Sequence, residues 1–165
     1  MDNNVSVYIE IEKGDCIKYE FDKTTNKLEV DRILPDPYVY PYSYGFIENT
    51  LAMDGDDLDA LIITEIPLKN DTRYDVYIIG VLVMEDEKGM DEKVLCVLEE
   101  DHARIQNIHD LSDEIKNNIH WFFSKYKTDT PNKWSRVHNY EDKDKAILLF
   151  QESKRRFFSA DQRTM

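Results

Sequence analysis

The chain has 165 residues, 41% of them hydrophobic and 12% aromatic, which is enough for about one domain with a sizeable core. Its formal net charge of −13 opposes binding to nucleic acid or anionic membranes. No segment is long enough to span a membrane and no secretory pattern is visible, so we expect a single cytoplasmic domain over residues 1–165. Cys16 and Cys96 lie far apart, which indicates neither a disulfide framework nor a zinc site, and both are expected to be small buried apolar residues.

Six segments in the first two-thirds of the chain have the composition or the two-residue alternation of β-strands. They cover residues 5–12, 16–22, 28–33, 59–64, 75–84 and 92–98. Turn-forming residues separate them, with little room for helices. This order predicts an α+β, mainly β fold built on a five- to six-stranded antiparallel OB-like barrel. In the third segment, Arg32 lies on the apolar face and needs an anionic partner.

The last third of the chain predicts two helices packed against this barrel. Over residues 111–127 apolar residues recur at helical spacing, and Ser112 can cap the first turn. A second amphipathic helix is predicted from about residue 141 to 157. Trp121 and Trp134 are expected in the core or in an interface. The four histidines have no metal-ligand spacing.

The segment LAMDGDDLDALIIT, residues 51–64, places four aspartates beside a strand. Asp54, Asp56 and Asp59 can converge on one point if the chain turns at Gly55. Two carboxylates ~4 Å apart repel by ~4 kcal/mol at an effective dielectric of 20, and bound Mg²⁺ or Ca²⁺ would remove that repulsion. A solvated acidic loop is the simpler interpretation of one such turn. An EF-hand is excluded, because Asp59 stands where its loop needs glycine and no helix follows.

A second acidic turn favours a functional site. The segment MEDEKGMDEK, residues 84–93, also ends an apolar strand and turns at Gly89. Two such turns suggest the two sides of one metal-filled pocket. The negative charge of the chain fits this interpretation, because an acidic protein that handles an anionic substrate needs cations between the two.

Several segments together resemble the family I soluble inorganic pyrophosphatases. DGDDLDA is similar to the family signature Asp-x-Asp-Pro-x-Asp, with Asp57 in place of the proline. Between residues 7 and 150 the similarity continues, in the same order and with similar gaps, through IEIEKG, IKYEFDKTTNKLEVDR, YPYSYGFIENT, DEKGMDEK and FFSKYK. This set is far more specific than any single motif. Asp57 removes no metal ligand, so the departure bears on rate and metal affinity, not on the reaction.

The resemblance implies hydrolysis of pyrophosphate to two orthophosphates by a metal-bound water or hydroxide, with Asp56 as the general base. It implies metal ligands at Asp54, Asp59, Asp91, Asp86, Glu20 and Glu87. It implies phosphate contacts from the donors Lys18, Arg32, Tyr44, Lys93, Tyr126 and Lys127. Glu10 and Tyr40 would support the site. About three to four Mg²⁺ ions are expected, with Mn²⁺ or Zn²⁺ as substitutes and Ca²⁺ as an inhibitor.

Two other classes of function stay open on the residues alone. The tyrosine-rich segment YVYPYSYGF could serve a non-catalytic OB-type module for oligosaccharides or nucleotides, although the acidic balance opposes this. The aspartates could instead hold a permanent calcium ion in a structural module. Nucleic-acid and membrane partners are not expected. By analogy with the short members of the family, a homohexamer is favoured, with a dimer as the alternative.

Overall fold

The computed structural model of the protein describes residues 2–164, with side chains to residue 160. Its strands are β1 (Asn4–Ile11), β2 (Ile17–Asp22), β3 (Lys27–Ile33), β4 (Ser43–Ile47), β5 (Leu58–Ile62), β6 (Thr72–Asp86), β7 (Gly89–Met90), β8 (Lys93–Val97) and β9 (Ser135–Glu141). Its helices are α1 (Glu99–His102), α2 (Asp113–Lys125) and α3 (Lys143–Thr164), and a short 3₁₀ helix spans Ile108–Asp110. Among residues 2–164, no helix is long and apolar enough to cross a membrane.

Seven strands form one sheet, in which hydrogen-bonded neighbours follow the order β1–β4–β5–β8–β6–β7 and β9 pairs with β6. Because β1 also pairs with β6, the pairing that starts at β1 returns to it. The mainly β prediction is confirmed, but the purely antiparallel sheet is wrong, since β5 and β8 are parallel. Five strands close the ring, and an odd number of strands cannot alternate in direction all the way round. β2 and β3 form a separate two-stranded sheet.

The core lies on both faces of the sheet, as β8 shows. All five residues of this strand, KVLCV, are buried between β5 and β6. Leu95 and Val97 join the apolar cluster covered by α2, whereas Val94 and Cys96 join the cluster covered by α3. Two-residue alternation therefore places successive side chains in different halves of the core. The burial predicted for Cys96 is confirmed, and Cys16 is half-buried.

The strands β4 and β9 were missed by the sequence patterns. Four of the five residues of β4 are buried, so it shows no alternation between an apolar and a polar face. β9, SRVHNYE, is largely polar and half-exposed, and it joins the sheet by pairing with β6. Both predicted helices are present. Ser112 caps α2 as predicted, with its Oγ accepting a hydrogen bond from the N–H of Ile115 at 3.2 Å, and α3 continues to Thr164, beyond its predicted end.

The two tryptophans do not belong to the core. Trp121 and Trp134 are 45% and 43% exposed, respectively. Trp121 lies on the surface of α2, with its ring 5.3 Å from that of Tyr38. The interface alternative for the tryptophans stays a prediction.

Gly45 allows β4 to approach β1 closely. A Cβ atom there would lie 1.8 Å from the carbonyl oxygen of Tyr8 and 3.0 Å from the Cα of Ile9. Since these are backbone atoms, the strands would have to separate. We expect Gly45→Ala to lower the free energy of unfolding by about 3 kcal/mol, measured by urea denaturation. Ser43→Ala in the same strand is the control, because it shortens a side chain, and equal midpoints for the two variants would contradict the prediction.

Candidate active site

The aspartate loop, residues 52–58, is folded back on itself by backbone hydrogen bonds. The N–H of Ala52 donates to the carbonyl oxygen of Asp56 at 2.7 Å, and the N–H of Gly55 donates to that of Ala52 at 3.1 Å. Gly55 has a φ of +91°, a conformation that favours glycine. The N–H of Asp56 also donates to Oδ1 of Asp54 at 3.0 Å. The turn predicted at Gly55 is therefore present, and Asp54 and Asp56 face the same cavity.

This cavity has a volume of about 490 Å³ and is lined by segments from residue 10 to residue 133. It brings together every site residue predicted from the sequence except Tyr40. These are Asp56, then the other acids Asp54, Asp59, Asp91, Asp86, Glu20, Glu87 and Glu10, and the donors Lys18, Arg32, Tyr44, Lys93, Tyr126 and Lys127. Strands β1 to β6, β8 and the end of α2 thus all contribute to one site.

Lys93 lies at the buried floor of the cavity, with 2% of its side chain exposed. Its ammonium donates to Oδ2 of Asp59 and to the hydroxyl of Tyr44 at 2.8 Å, and to both carboxylate oxygens of Asp91 at 2.9 Å. Asp59 and Lys93 are register partners on the parallel strands β5 and β8. Burial alone would lower the pKa of Lys93, but Asp59 and Asp91 raise it well above its usual value. Lys93 is therefore a fixed positive charge among carboxylates.

The carboxylates of the cavity differ in their surroundings. Burial raises the pKa of Asp54, and the nearby charges of Asp91 and Asp56 add to the effect. Burial likewise raises the pKa of Asp91, against the opposing attraction of Lys93. Asp56 is the open member of the set, with 64% of its side chain exposed and the ammonium of Lys88 as far as 4.0 Å away. One carboxylate is thus accessible beside several that are partly dehydrated.

A second group of charges closes the cavity near the end of α2. Lys127 donates to Oδ2 of Asp86 at 2.8 Å and lies 3.6 Å from a carboxylate oxygen of Glu87. Burial pushes the pKa of Glu87 upward, but backbone N–H donors, including that of Trp134, bring it below its ordinary value. The second acidic turn therefore faces the aspartate loop across the cavity, as the sequence predicted.

The β2–β3 hairpin carries two of the predicted phosphate-binding residues. Lys18 and Arg32 are register partners in this hairpin. Lys18 donates to Oδ2 of Asp31 at 2.8 Å, while Arg32 donates to the carbonyl oxygen of Tyr126 at 2.6 Å and to Oδ1 of Asp129 at 3.1 Å. The anionic partner predicted for Arg32 is thus Asp129.

Tyrosines form the wall behind the charged groups. Tyr44 and Tyr126 line the cavity, and burial raises the pKa of both hydroxyls, which are therefore neutral donors at physiological pH. Tyr40 lies one layer deeper, with its ring 5.3 Å from that of Tyr44 and 4.6 Å from that of Phe122. Tyr40 supports the wall by packing and does not reach the cavity.

Glu10 is a buried acid at the edge of the cavity. Its Oε2 accepts a hydrogen bond from the N–H of Phe21 at 2.8 Å, which ties β1 to the hairpin. Burial raises its pKa to about 8, outweighing that hydrogen bond. Since the folded protein retains a proton that the unfolded chain releases at its ordinary pKa of 4.5, the contribution of Glu10 to stability falls as the pH rises between 4.5 and about 8.

Replacing Glu10 with glutamine is expected to stabilise the metal-free protein above pH 8, because the charge disappears and an acceptor for Phe21 remains. The gain relative to wild type is expected to be near zero at pH 4.5 and to rise to at most about 5 kcal/mol above pH 8. Urea denaturation in EDTA across this range measures it. A gain that is the same at every pH would contradict the assignment of the effect to ionised Glu10.

The donor set suits hard divalent cations. Ten carboxylate residues and seven cationic residues line the cavity, so negative charge is in excess. Mg²⁺ and Ca²⁺ take oxygen ligands of this kind. Lys93 already places one positive charge between Asp59 and Asp91. Within the part of the chain that the structure describes, no three His, Cys, Asp or Glu side chains are already grouped around one metal position.

Five charged residues of the cavity were not assigned to the site from the sequence. They are Lys23, Asp31, Asp57, Lys88 and Lys133. Asp31 adjoins Arg32 and Lys88 lies within the second acidic turn, so their positions in the motifs could have suggested them. Lys23 and Lys133 reach the cavity through the folding of the hairpin turn and of the loop after α2, which no local pattern reveals.

Comparisons with known proteins identify the family of the chain. A model of the inorganic pyrophosphatase family matches residues 7–157. The inorganic pyrophosphatase of Gluconobacter oxydans is 43% identical over 155 residues, covering 92% of this chain and 90% of the relative. That of Helicobacter pylori strain J99 is 40% identical with the same coverage.

Solved structures give the same result. The crystal structure of the Thermus thermophilus inorganic pyrophosphatase superposes with a TM-score of 0.90 at 38% identity, covering 94% of this chain and 91% of that one. A Coxiella burnetii inorganic pyrophosphatase gives a TM-score of 0.90 at 40% identity, covering 94% and 95%. The chain therefore belongs to the enzymes of the inorganic pyrophosphatase family, of the family I type that its motifs resemble.

Proposed function

We propose that this protein hydrolyses inorganic pyrophosphate to two orthophosphates. The observation that carries the proposal is the single cavity in which the two acidic turns meet a ring of lysine, arginine and tyrosine donors. Cations suit the oxygens of a diphosphate, and carboxylates suit the metal ions that accompany it. Membership of the inorganic pyrophosphatase family supports the same reaction.

In this proposal Asp56 is the general base. Its carboxylate opens to the cavity and its ion pair with Lys88 is long, so an oxygen is available to accept a proton from the attacking water. The loop that holds it is ordered by its own hydrogen bonds, which limits the movement of Asp56 relative to Asp54. A base held in place contributes more than one that must first be oriented.

The cationic and tyrosine side chains would bind and orient the phosphates. Arg32 and Lys18 now pair with Asp129 and Asp31, and a phosphate group would compete with these partners for their N–H donors. The neutral hydroxyls of Tyr44 and Tyr126 add hydrogen bonds without charge. Lys93 would hold the carboxylates of Asp59 and Asp91 in position and reduce the repulsion between them.

The metal ligands proposed are Asp54, Asp59, Asp91, Asp86, Glu20 and Glu87. Mg²⁺ held there would offset the charge of pyrophosphate and lower the pKa of water at neutral pH. About three to four ions are proposed, with Mn²⁺ or Zn²⁺ as substitutes. Lys93 remains beside the ligands as a permanent positive charge.

A phosphate-release assay tests the proposal. The protein is expected to release two orthophosphates per pyrophosphate when Mg²⁺ is present, and EDTA is expected to stop the reaction. Ca²⁺ should inhibit, because its larger and more irregular coordination aligns the water poorly. A non-catalytic binding module or a calcium-stabilised structural module would release none. Activation by Ca²⁺ would count against the mechanism.

Four features beyond the reaction are proposed with it. The closed pairing of β1, β4, β5, β8 and β6 supports an OB-like barrel, with residues 1–165 as one domain. A homohexamer is proposed by analogy with the short members of the family, with a dimer as the alternative, and a cytoplasmic location is proposed with it. Light scattering behind size-exclusion chromatography distinguishes the two assemblies.

A further inference from the structure

The turn between β2 and β3 is ordered and carries a lysine to the cavity. We call residues 22–27 the hairpin tip. The side chain of Asp22 accepts hydrogen bonds from the N–H groups of Thr24 at 2.8 Å and Thr25 at 3.4 Å. The N–H of Asn26 donates to the carbonyl oxygen of Asp22 at 2.7 Å. Lys23 therefore projects from a fixed turn, and it lines the cavity.

The lysine of the hairpin tip meets the aspartate that departs from the family signature. Nζ of Lys23 lies 3.2 Å from Oδ1 of Asp57. Lys23 is 70% exposed at its side chain, whereas that of Asp57 is only 16% exposed. The backbone after Asp57 is held because the N–H of buried Leu58 donates to Oγ1 of Thr50 at 2.9 Å. A proline at this position would have no side-chain oxygen to receive the lysine.

The charges around Asp57 make Lys23 its counter-charge. Burial raises the pKa of Asp57, Lys23 opposes this shift, and Asp56 and Glu48 add to it. Glu48 is already engaged by Arg73 at 2.7 Å. Without Lys23, the half-buried carboxylate would lie beside two other acids without a counter-charge from the described part of the chain, and the aspartate loop would have to move to rehydrate it.

Among the described residues no strand pairing joins the hairpin to the main sheet, because β2 and β3 form a sheet of their own. The hairpin is therefore held by side-chain contacts, which include the packing of Tyr19 against the apolar core. One tie is the hydrogen bond from Phe21 to Glu10, together with the ring of Phe21 packed 5.2 Å from that of Tyr8. Another is Arg32, which is bound to the segment after α2. The ion pair of Lys23 and Asp57 connects the hairpin tip directly to the loop that holds Asp56.

We propose that Lys23 and Asp57 act as positioning residues for pyrophosphate hydrolysis, by fastening the β2–β3 hairpin to the aspartate loop. The ion pair sets the distance between Lys18 and Arg32 on one side and Asp56 on the other. This inference rests on the proposed function. In place of the stiffness that proline supplies in the family signature, the ion pair provides a contact between two chain segments.

A double-mutant cycle tests the inference with Lys23→Gln, Asp57→Asn and the double variant. Each single variant is expected to lower kcat/KM by about 3- to 10-fold, chiefly through KM, and the double variant to be no worse than either. Lys23→Arg and Asp57→Glu, which keep the charges, are expected to retain at least about half of the activity. If the fold losses in kcat/KM of the two single variants simply multiplied in the double variant, the inference would be overturned.

The matched control is the ion pair of Lys13 and Glu65, which spans 3.4 Å between two loops outside the cavity. Lys13→Gln, Glu65→Gln and their double variant are expected to show no coupling in kcat/KM. Melting temperatures of all variants should change by less than about 3 °C, since the lysine of each pair is exposed and such ion pairs contribute little stability. A larger fall in melting temperature that parallels the loss of activity would mean a purely structural role and would overturn the inference.

Amide hydrogen exchange gives a readout that needs no turnover. In metal-free Lys23→Gln and Asp57→Asn, the amides of residues 17–33 are expected to exchange about threefold faster or more than in wild type. Unchanged exchange would overturn the inference. A wild-type protein that releases no phosphate would instead refute the proposed function, so the two failures are distinguishable.

Discussion

Replacing Asp56 with asparagine is expected to lower kcat for pyrophosphate hydrolysis by ~10²–10⁴-fold, because the amide cannot accept the proton of the attacking water. The substitution keeps the shape of the side chain. It also leaves intact the hydrogen bond from the N–H of Asp56 to Asp54. Phosphate release in saturating Mg²⁺ and pyrophosphate measures kcat. The circular dichroism spectrum and the melting temperature should match those of wild type.

The matched control for this variant is Asp75→Asn. Asp75 is exposed on β6 and does not line the cavity. It is expected to turn over at the wild-type rate. Wild-type turnover by Asp56→Asn would remove this residue from the role of base.

The variant Lys93→Met is expected to cost about 3–5 kcal/mol of unfolding free energy in the metal-free protein at pH 7. The substitution leaves Asp59 and Asp91 at the cavity floor without the ammonium that contacts both. It also removes a donor to Tyr44. Urea denaturation in EDTA measures the loss. Activity is expected to fall as well, since the carboxylates of Asp59 and Asp91 would no longer be held in position.

Added Mg²⁺ is expected to recover part of this loss, because a divalent cation can replace the missing charge. The same Mg²⁺ concentration should recover nothing in Lys125→Met, which removes an exposed lysine from the end of α2 and is expected to change stability by less than about 0.5 kcal/mol. Equal stabilities of Lys93→Met and wild type in EDTA would contradict the role of Lys93 as counter-charge. If Lys93→Met were as unstable in saturating Mg²⁺ as in EDTA, this would argue against metal binding by Asp59 and Asp91.

The parts of the site that lie close together in sequence could be predicted. Glycine at position 55 permits the turn that makes Asp54 and Asp56 face one cavity, and this follows from local conformation alone. The spacing of apolar residues likewise predicted α2 and its cap at Ser112, because helical periodicity is also local. The meeting of the two acidic turns was suggested by their shared place at the ends of apolar strands, and the resemblance to a family added the roles of the individual residues.

The parts that depend on long-range register could not be predicted. The contact of Lys93 with Asp59 requires β5 and β8 to be parallel neighbours, whereas the strand pattern predicted antiparallel pairing. Two-residue alternation says which face a residue occupies, but it does not say which strand lies alongside. The contact of Lys23 with Asp57 depends in addition on how a separate hairpin is placed over the sheet.

The strand β1 is hydrogen-bonded along both edges, to β4 on one side and to β6 on the other. During synthesis on the ribosome, the part of β6 that pairs with β1 is complete only when the chain has reached Tyr77. Until then, an apolar segment with an unsatisfied backbone edge has to remain unassembled. We therefore expect nascent chains that stop short of β6 to aggregate, and chains that include it to begin to acquire resistance to proteases.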